Sequence, residues 1–262
     1  MITAGIDIGA RNSQVAILKD DREILALASA LTGFDQEVSA EQALNKACQD
    51  AGISVDEIDQ FISTGVGRSF APHNPKQVTE ITAATKGAHF LLPTARTAID
   101  VGAEEGRAIR LDATGSVKDF AVNEKCAAGA GSFIEIMART LESSVEEFAD
   151  LSLKSTKSVP INAQCTIFAE SEAVSLIHAN TPLSDIARAI HDAIADRIAG
   201  VVHRVGIERD VLFCGGVAYN RGLIESLKKA LKLEALIVPE TPEYLGAIGA
   251  ALAHDLKENE DG

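Results

Sequence analysis

Two cysteines stand where a thiol could take part in chemistry. Cys126 lies in the string NEKCAAGAGSF at residues 123–133, and Cys165 begins the string CTIFAESE at residues 165–172. A helical pattern follows each cysteine within a few residues, so we expect each thiol near the start of a helix. A thiolate there could act as a nucleophile or a metal ligand, and a thiol could equally be a small buried hydrophobic residue. The residues alone leave these three roles open.

A carboxylate just before a glycine occurs twice in the same phrase. IDIGA at residues 6–10 matches IDVGA at residues 99–103, and a strand–turn–strand pattern follows each copy. Asp7 and Asp100 would each point into a cleft, where carboxylates together with phosphates suit hydrated Mg²⁺. The glycines that follow let the backbone approach a phosphate and offer it N–H groups. One copy alone is most simply a β-hairpin with a glycine turn, but two copies in register indicate an internal duplication.

A third candidate site lies late in the chain. A short apolar strand at residues 211–214 runs into Gly215 and Gly216 and then into a helix. Bare backbone at such a turn could accommodate the adenosine of a nucleotide. The other interpretation is a tight strand-to-helix turn that binds nothing. Cys214 at the end of the strand, and Cys48 in an earlier helical stretch, are most simply core residues.

Alternating strands and helices must position these residues. The residues from Ser132 to Glu135 match a capping box, which predicts the start of a helix there. The closing helix at 245–252 is rich in small residues and able to pack closely against a neighbour. Apolar spacing predicts helices over 40–51, 76–90, 132–141, 143–153, 166–180, 184–205 and up to 231, and strands over 59–69, 211–214 and 234–238.

Composition narrows the class of protein. The formal net charge of -14 over 262 residues argues against a non-specific nucleic-acid binder. No apolar run approaches 18 residues, and the N-terminus lacks a basic segment before a long apolar stretch, so we expect a soluble, cytoplasmic protein with no membrane contact. The four cysteines are too few and too scattered for a disulfide framework.

Taken together, the strings resemble one branch of the acetate and sugar kinase/Hsp70/actin superfamily. KCAAGAGSF at 125–133 and CTIFAESE at 165–172 are similar to strings in the BadF/BadG/BcrA/BcrD-type ATPases, which activate 2-hydroxyacyl-CoA dehydratases or serve benzoyl-CoA reductase. The resemblance implies an α/β chain with a duplicated actin-like ATPase fold, in which two RNase H-like halves enclose a nucleotide cleft. The expected halves are residues 1–96 with 243–262, and residues 97–242.

The resemblance also implies cofactors. Cys126 and Cys165 would bind a [4Fe–4S] cluster, which needs four thiolates and would therefore be shared with a second copy or a homologous ATPase subunit. ATP or ADP with Mg²⁺ would occupy the cleft between halves. Asp7 and Asp100 would face Mg²⁺ and phosphate, with Asn220 near the nucleotide. The backbone around the nucleotide would come from Gly9, Ala10, Gly102, Ala103, Gly129, Gly131, Gly215 and Gly216.

One departure from the family pattern bears on hydrolysis. Dehydratase activators usually read Gly-Gly-Gln-Asp where this chain has Gly-Ala-Glu-Glu at residues 102–105. Glu104 is therefore expected to act on the attacking water as a catalytic residue beside Asp7 and Asp100. The following string GRAIR at 106–110 favours a benzoyl-CoA reductase subunit, with a homodimeric 2-hydroxyacyl-CoA dehydratase activator as the alternative.

The expected activity couples ATP hydrolysis to delivery of one low-potential electron. Ferredoxin or flavodoxin would donate the electron, and an acyl-CoA reductase or dehydratase would accept it. A small-molecule kinase of the same superfamily would explain the duplicated turns but would leave both cysteines without a purpose. A subunit that binds nucleotide without hydrolysing it is a further alternative, motivated by residues Glu104 and Glu105.

Overall fold

The computed structural model describes residues 1–123, 131–161 and 166–256. Three strands come first in each half of the chain, and helices dominate the part that follows β8. The strands are β1 Ile2–Ile8, β2 Asn12–Lys19, β3 Glu23–Leu31, β4 Gln60–Thr64, β5 Lys76–Gln77, β6 Thr97–Val101, β7 Gly106–Leu111, β8 Val117–Asn123 and β9 Val211–Cys214. The helices are α1 Gln36–Ala51, α2 Glu80–Leu91, α3 Gly131–Thr140, α4 Val145–Leu153, α5 Thr166–His178, α6 Leu183–Val205, α7 Arg221–Leu231 and α8 Leu245–Ala251.

The chain divides into two compact units. The first unit comprises Met1–Ala95, Leu111–Lys118 and Glu243–Gly262, and the second comprises Arg96–Arg110 and Asp119–Pro242. Each unit contains one sheet and its own hydrophobic core. That residues 1–96 with 243–262 form the first actin-like half, and residues 97–242 the second, stays a prediction.

The sheet of the first unit has the strand order β3-β2-β1-β4-β5. β2 pairs antiparallel with both β1 and β3. On the other side of β1, β4 pairs parallel with β1, and β5 pairs parallel with β4. Helix α1 packs its buried face, which includes Ala40 and Leu44, against apolar residues of β1 and β2. Asp35 caps the start of α1 by accepting from the Val38 N–H at 3.1 Å, and Gly52 ends it in the left-handed conformation. A parallel pair beside a hairpin aligns the carboxyl ends of β1 and β4.

Close approach of small residues joins α8 to its neighbours in the first unit. A Cβ on Gly5 of β1 would overlap the Ala247 carbonyl of α8. A Cβ on Gly249 would likewise overlap the Ala83 carbonyl of α2. The predicted close-packing role of this small-residue helix is therefore confirmed.

The second unit is built on the strand order β8-β7-β6-β9. β6 pairs antiparallel with β7 and parallel with β9. The strand predicted over 234–238 is wrong, because only Ile237 pairs with the sheet, as an isolated bridge to Leu212. A large core of α3, α4, α5, α6 and α7 residues lies against this sheet, and α6 contributes an apolar stripe from Ile186 to Val205.

Two local predictions need correction. Residues 76–77 form the edge strand β5, and the helix begins only at Glu80, because Thr79 caps it by accepting from the Thr82 N–H at 3.1 Å. Ser132 does not form the predicted capping box, because α3 already begins at Gly131 and the Ser132 hydroxyl donates elsewhere.

The internal duplication is visible in the hydrogen bonds of the two hairpins. The Gly9 N–H donates to the Asn12 carbonyl at 3.0 Å, and the Gly102 N–H donates to the Glu105 carbonyl at 2.8 Å. Each turn thus links a glycine to the residue three positions later. The matching phrases at 6–10 and 99–103 fold in the same way.

The same equivalence extends to the parallel strands. Asp7 is in register with Thr64 at the end of β4, and Asp100 is in register with Cys214 at the end of β9. A glycine with positive φ follows each of those strands, Gly65 at 89° and Gly215 at 86°. Each aspartate therefore lies beside a strand end that turns through a left-handed glycine.

Among the helices of the described residues, none is both long and apolar enough to cross a membrane.

Candidate functional site

Asp7 sits in a cradle of backbone in the first unit. It lies next to the last residue of β1, and a Cβ placed on either Gly65 or Gly246 would overlap its carboxylate. Gly65 follows β4, and Gly246 lies in the first turn of α8. The two glycines therefore leave the Asp7 carboxylate the room that any larger residue would take.

The turn after Asp7 is closed by a hydrogen bond of its own backbone. The Gly9 N–H donates to the Asn12 carbonyl at 3.0 Å, and a Cβ on Gly9 would lie only 3.1 Å from that oxygen. Ala10 is exposed. The two predicted residues of this turn thus lie together with Asp7 in the first unit.

Asp100 occupies the equivalent position of the second unit and has a cationic neighbour. Arg107 lies opposite Asp100 in the β6–β7 pair, and its guanidinium is 3.7 Å from the Asp100 carboxylate and 3.3 Å from the Glu105 carboxylate. The Arg107 side chain is only 13% exposed, so this pairing is weakly screened by solvent. In the first hairpin, Gln14 stands at the position that corresponds to Arg107. The Asp100 carboxylate therefore shares the Arg107 guanidinium with the Glu105 carboxylate.

Glu104 contacts the start of α3. The Ser132 hydroxyl donates to Glu104 Oε1 at 2.5 Å, while the N–H groups of Gly131 and Ser132 donate to the carbonyls of Gly102 and Ala103 at 2.8 and 2.9 Å. The structure therefore brings the predicted residues Gly102, Ala103, Glu104 and Gly131 together at one place in the second unit. Sequence reasoning missed Ser132 and Arg107, because their positions opposite Glu104 and Asp100 follow only from the fold.

Gly215 and Gly216 differ in what surrounds them. A Cβ on Gly215 would overlap the Val101 carbonyl, so this glycine is required by packing against the end of β6. Around Gly216 a Cβ would meet no atom within 4 Å. Of these two glycines, Gly216 is thus the one with open backbone of the kind that adenosine contact requires, and it begins a 3₁₀ turn at Gly216–Tyr219.

Asn220 is buried and its side chain serves the helix that follows. Its Oδ1 accepts from the Leu223 N–H at 2.9 Å, which caps α7, and lies 3.1 Å from His191 Nε2. The other ring nitrogen of His191 is 2.8 Å from the Ala187 carbonyl, and the ring packs on Phe148 with centroids 4.5 Å apart. Burial lowers the pKa of His191, because the charged ring loses its hydration. His191 is a residue that sequence reasoning missed.

The predicted cluster ligands Cys126 and Cys165 lie outside the described residues, as does Gly129. The other two cysteines, Cys48 and Cys214, are buried, as expected. Burial raises the pKa of the Cys214 thiol well above its ordinary value, and the nearby Asp100 charge adds to the effect. A thiol held protonated is a poor metal ligand. Within the described part of the chain, no cluster of three or more His, Cys, Asp or Glu side chains could hold a metal ion.

The helices that follow the two cysteines in sequence pack together. α3 begins at Gly131, five residues after Cys126, and α5 begins at Thr166, directly after Cys165. Phe133 and Ala169, from the first turns of the two helices, belong to one buried core. Ile167 and Phe168 are each 70% exposed on the first turn of α5.

Nearly the whole chain matches a known family. The model of the BadF/BadG/BcrA/BcrD ATPase family matches residues 4–253. The chain is 40% identical, over 96% of both chains, to the activator of lactoyl-CoA dehydratase from Anaerotignum propionicum. It is 33% identical to a benzoyl-CoA reductase subunit from Thauera aromatica, over 96% of this chain and 92% of the relative.

A solved structure agrees with these relatives. The activator of 2-hydroxyisocaproyl-CoA dehydratase from Clostridium difficile, with bound ADPNP, aligns with a TM-score of 0.90 at 36% identity over 96% of this chain and 93% of that one. The predicted duplicated actin-like fold is confirmed. The preference for a reductase subunit, which rested on GRAIR at 106–110, is not supported, since the dehydratase activators are the more similar relatives. The chain belongs to the BadF/BadG/BcrA/BcrD ATPase family, and the resemblance drawn from its cysteine strings and duplicated turns is confirmed.

Proposed function

We propose that this chain is an ATP-hydrolysing activator that delivers one low-potential electron to a 2-hydroxyacyl-CoA dehydratase. The observation that carries the proposal is the 40% identity to the activator of lactoyl-CoA dehydratase, which extends over 96% of both chains. A role beside an acyl-CoA reductase is the second candidate, favoured by the 33% identity to the benzoyl-CoA reductase subunit of Thauera aromatica.

The nucleotide would be held by backbone that the fold keeps clear of side chains. The cradle of Gly65 and Gly246 fits a carboxylate that must turn toward hydrated Mg²⁺ rather than into the core. Asp7 would face Mg²⁺, and the turns that begin at Gly9 and Gly102 would offer N–H groups to phosphate oxygens. Ala10 and Ala103 belong to those turns. The open backbone at Gly216, beside Gly215, would lie against the adenosine.

Asp100 would take part in this site with a cation beside it. Arg107 lies 3.7 Å from the Asp100 carboxylate and 3.3 Å from that of Glu105, so its positive charge offsets part of the negative charge that these two residues place near the phosphates. In hydrolysis, water attacks the terminal phosphorus while the bond from that phosphorus to the bridging oxygen breaks. Carboxylates near the terminal phosphate must therefore orient the water without strongly repelling the phosphate. The sequence adds Glu104 as the residue acting on this water, a role that competes with its hydrogen bond to Ser132.

Cys126 and Cys165 would hold a [4Fe–4S] cluster. The donor set fits the cluster, since each cysteine lies within five residues of the start of a helix, and those helices, α3 and α5, pack on each other. Two thiolates per chain require a second copy for a four-thiolate cluster, which would then lie on a two-fold axis. When bound, the cluster supplies one-electron storage at low potential. Ferredoxin or flavodoxin is the proposed electron donor.

The test begins with protein purified without oxygen. We expect about four irons and four sulfides per two chains, with visible absorption bleached by dithionite. Cys126→Ala and Cys165→Ala should each abolish iron binding, whereas Cys48→Ala, the matched control for a buried thiol, should retain it. Purified wild type should then activate a 2-hydroxyacyl-CoA dehydratase with ATP but not with ADPNP. An iron-free protein that phosphorylates a small alcohol would replace this proposal with the kinase alternative, and activation of benzoyl-CoA reductase alone would favour the second candidate.

A further inference from the structure

The turn at residues 102–105 and the first turn of α3 form one hydrogen-bonded unit. The N–H groups of Gly131 and Ser132 donate to the carbonyls of Gly102 and Ala103 at 2.8 and 2.9 Å. The Ser132 hydroxyl adds a third hydrogen bond, at 2.5 Å, to the Glu104 carboxylate. A Cβ on Gly131 would lie 3.2 Å from the Gly102 carbonyl, so the helix start approaches the turn closely. Three consecutive residues of the turn are thereby fixed to one helix.

These bonds set the direction of the turn's N–H groups. In a trans peptide the N–H points opposite to the carbonyl of the same plane. Because the Gly102 and Ala103 carbonyls point to α3, the N–H groups of Ala103 and Glu104 point away from it. Those are the groups that would meet a phosphate. Hydrogen bonds in series polarise one another, so a phosphate bound on one side of a peptide strengthens the bond to α3 on its other side.

The Glu104 side chain adds to this link in two ways. A hydroxyl that donates to a carboxylate at 2.5 Å forms a short charge-assisted hydrogen bond. A negative charge beside the N-terminus of α3 is also stabilised by the helix dipole. Both effects hold the carboxylate on α3, and the oxygen engaged by Ser132 is directed to the helix rather than to a water at the phosphate.

We propose that Glu104 is a positioning residue that fixes α3 to the 102–105 turn, so that phosphate binding at the turn stabilises the first turn of α3. The inference rests on the proposed function for its ligand, a nucleoside triphosphate. It replaces the expectation that Glu104 acts on the attacking water. α3 begins five residues after Cys126 in the sequence, so phosphate binding would stabilise the helix that follows a proposed cluster ligand along the chain.

The experiment measures amide hydrogen exchange over residues 131–140, with and without Mg²⁺ and ADPNP, in wild type and in Ser132→Ala, Glu104→Ala and the double variant. Wild type should exchange more slowly when ADPNP is bound. Each single variant should exchange about threefold or more faster and lose part of the ADPNP effect, because one hydrogen bond to a charged group is removed while the two backbone hydrogen bonds remain. The double variant should match Glu104→Ala, since removing the carboxylate already leaves the Ser132 hydroxyl without this partner. Ser175→Ala is the control, because its hydroxyl also donates to a helix carbonyl, at 2.9 Å on α5.

The rate of ATP hydrolysis separates this role from water activation. A positioning role predicts that Ser132→Ala and Glu104→Gln change the rate by similar, modest factors. A general base predicts a loss of roughly 100-fold or more for Glu104→Gln alone. That result, or an ADPNP effect on exchange in Ser132→Ala equal to that of wild type, overturns the inference. Failure of wild type to bind ADPNP in calorimetry would instead overturn the proposed function.

Discussion

Among single residues, the Asp7 carboxylate can keep its position only because two of its neighbours are glycines without a side chain. Gly65 and Gly246 come from different elements, and each would press on Asp7 if it carried a side chain. Their positions are therefore part of the site, although neither can bind a ligand through a side chain. Filling either space would turn the carboxylate away from its present direction.

Gly246→Ala should weaken Mg²⁺·ADPNP binding by about tenfold or more. The added methyl displaces the Asp7 carboxylate, and a lost interaction with a charged group has about this effect. Gly200→Ala is the matched control, because a Cβ there meets no atom within 4 Å. Titration calorimetry measures both affinities. Equal affinity of the two variants would show that the cradle does not orient Asp7.

Single residues also show where sequence reasoning stops. Asp7 and Asp100 could be picked out from the sequence because the two copies of the phrase, at 6–10 and 99–103, align with each other. Arg107 and Ser132 could not, since their partners are fixed by strand register and by the placement of α3 on a distant turn. The family resemblance implied that Asn220 lies near the nucleotide, but only the fold shows its side chain capping α7 beside His191.

Among the helices and strands, α8 is held by backbone-to-backbone packing. Gly5 of β1 and Gly249 of α8 allow the helix to contact the sheet and α2 more closely than any side chain would. Small residues in the string GAIGAAL predicted close packing, but not the partners. The strand predicted at 234–238 was wrong because residue composition does not decide how many residues of an edge segment pair with a sheet. In this segment only Ile237 forms a bridge.

Gly249→Ala should destabilise the protein by about 1–3 kcal/mol, the usual cost of overpacking a tight core. The new methyl would overlap the Ala83 carbonyl, which belongs to helix backbone and cannot move alone. Urea unfolding of the variant against Gly200→Ala measures the effect. The control should be unchanged or slightly stabilised, since alanine suits a helix interior better than glycine does. A Gly249→Ala protein as stable as the control would contradict this packing.

In the molecule as a whole, buried titratable groups set how stability varies with pH. The pKa of His191 is lowered by burial, so the unfolded chain takes up this proton at a higher pH than the folded one. The contribution of neutral His191 to the free energy of unfolding is fully present above the ordinary His pKa of about 6.5. It is lost as the pH falls from there toward the lower pKa that His191 has in the folded state. Asp185 acts in a lower window. Its pKa is lowered by the Ser155 hydroxyl and by the Thr156 N–H, so its contribution is lost only below the ordinary Asp value of about 3.9.

The free energy of unfolding of wild type should therefore fall more steeply between about pH 7.5 and 5.5 than that of His191→Gln. The expected difference over this range is up to about 1.4 kcal/mol for each pH unit below 6.5. Urea unfolding at three pH values measures both slopes. The slope, unlike the absolute stability, is unaffected by the packing lost in the variant. Parallel slopes would show that His191 does not titrate differently on folding.

The position of α8 on Gly5 has a consequence for the order in which the molecule is made. The ribosome synthesises β1 more than 200 residues before α8, yet the two lie in contact in the first unit. The side of the first sheet that α8 covers therefore stays exposed until Ala251 has left the exit tunnel. Most residues of the second unit's core are synthesised before that point. A circularly permuted gene that encodes α8 ahead of β1 would end that delay, and newly made chains would then have no long-lived exposed face to offer chaperones.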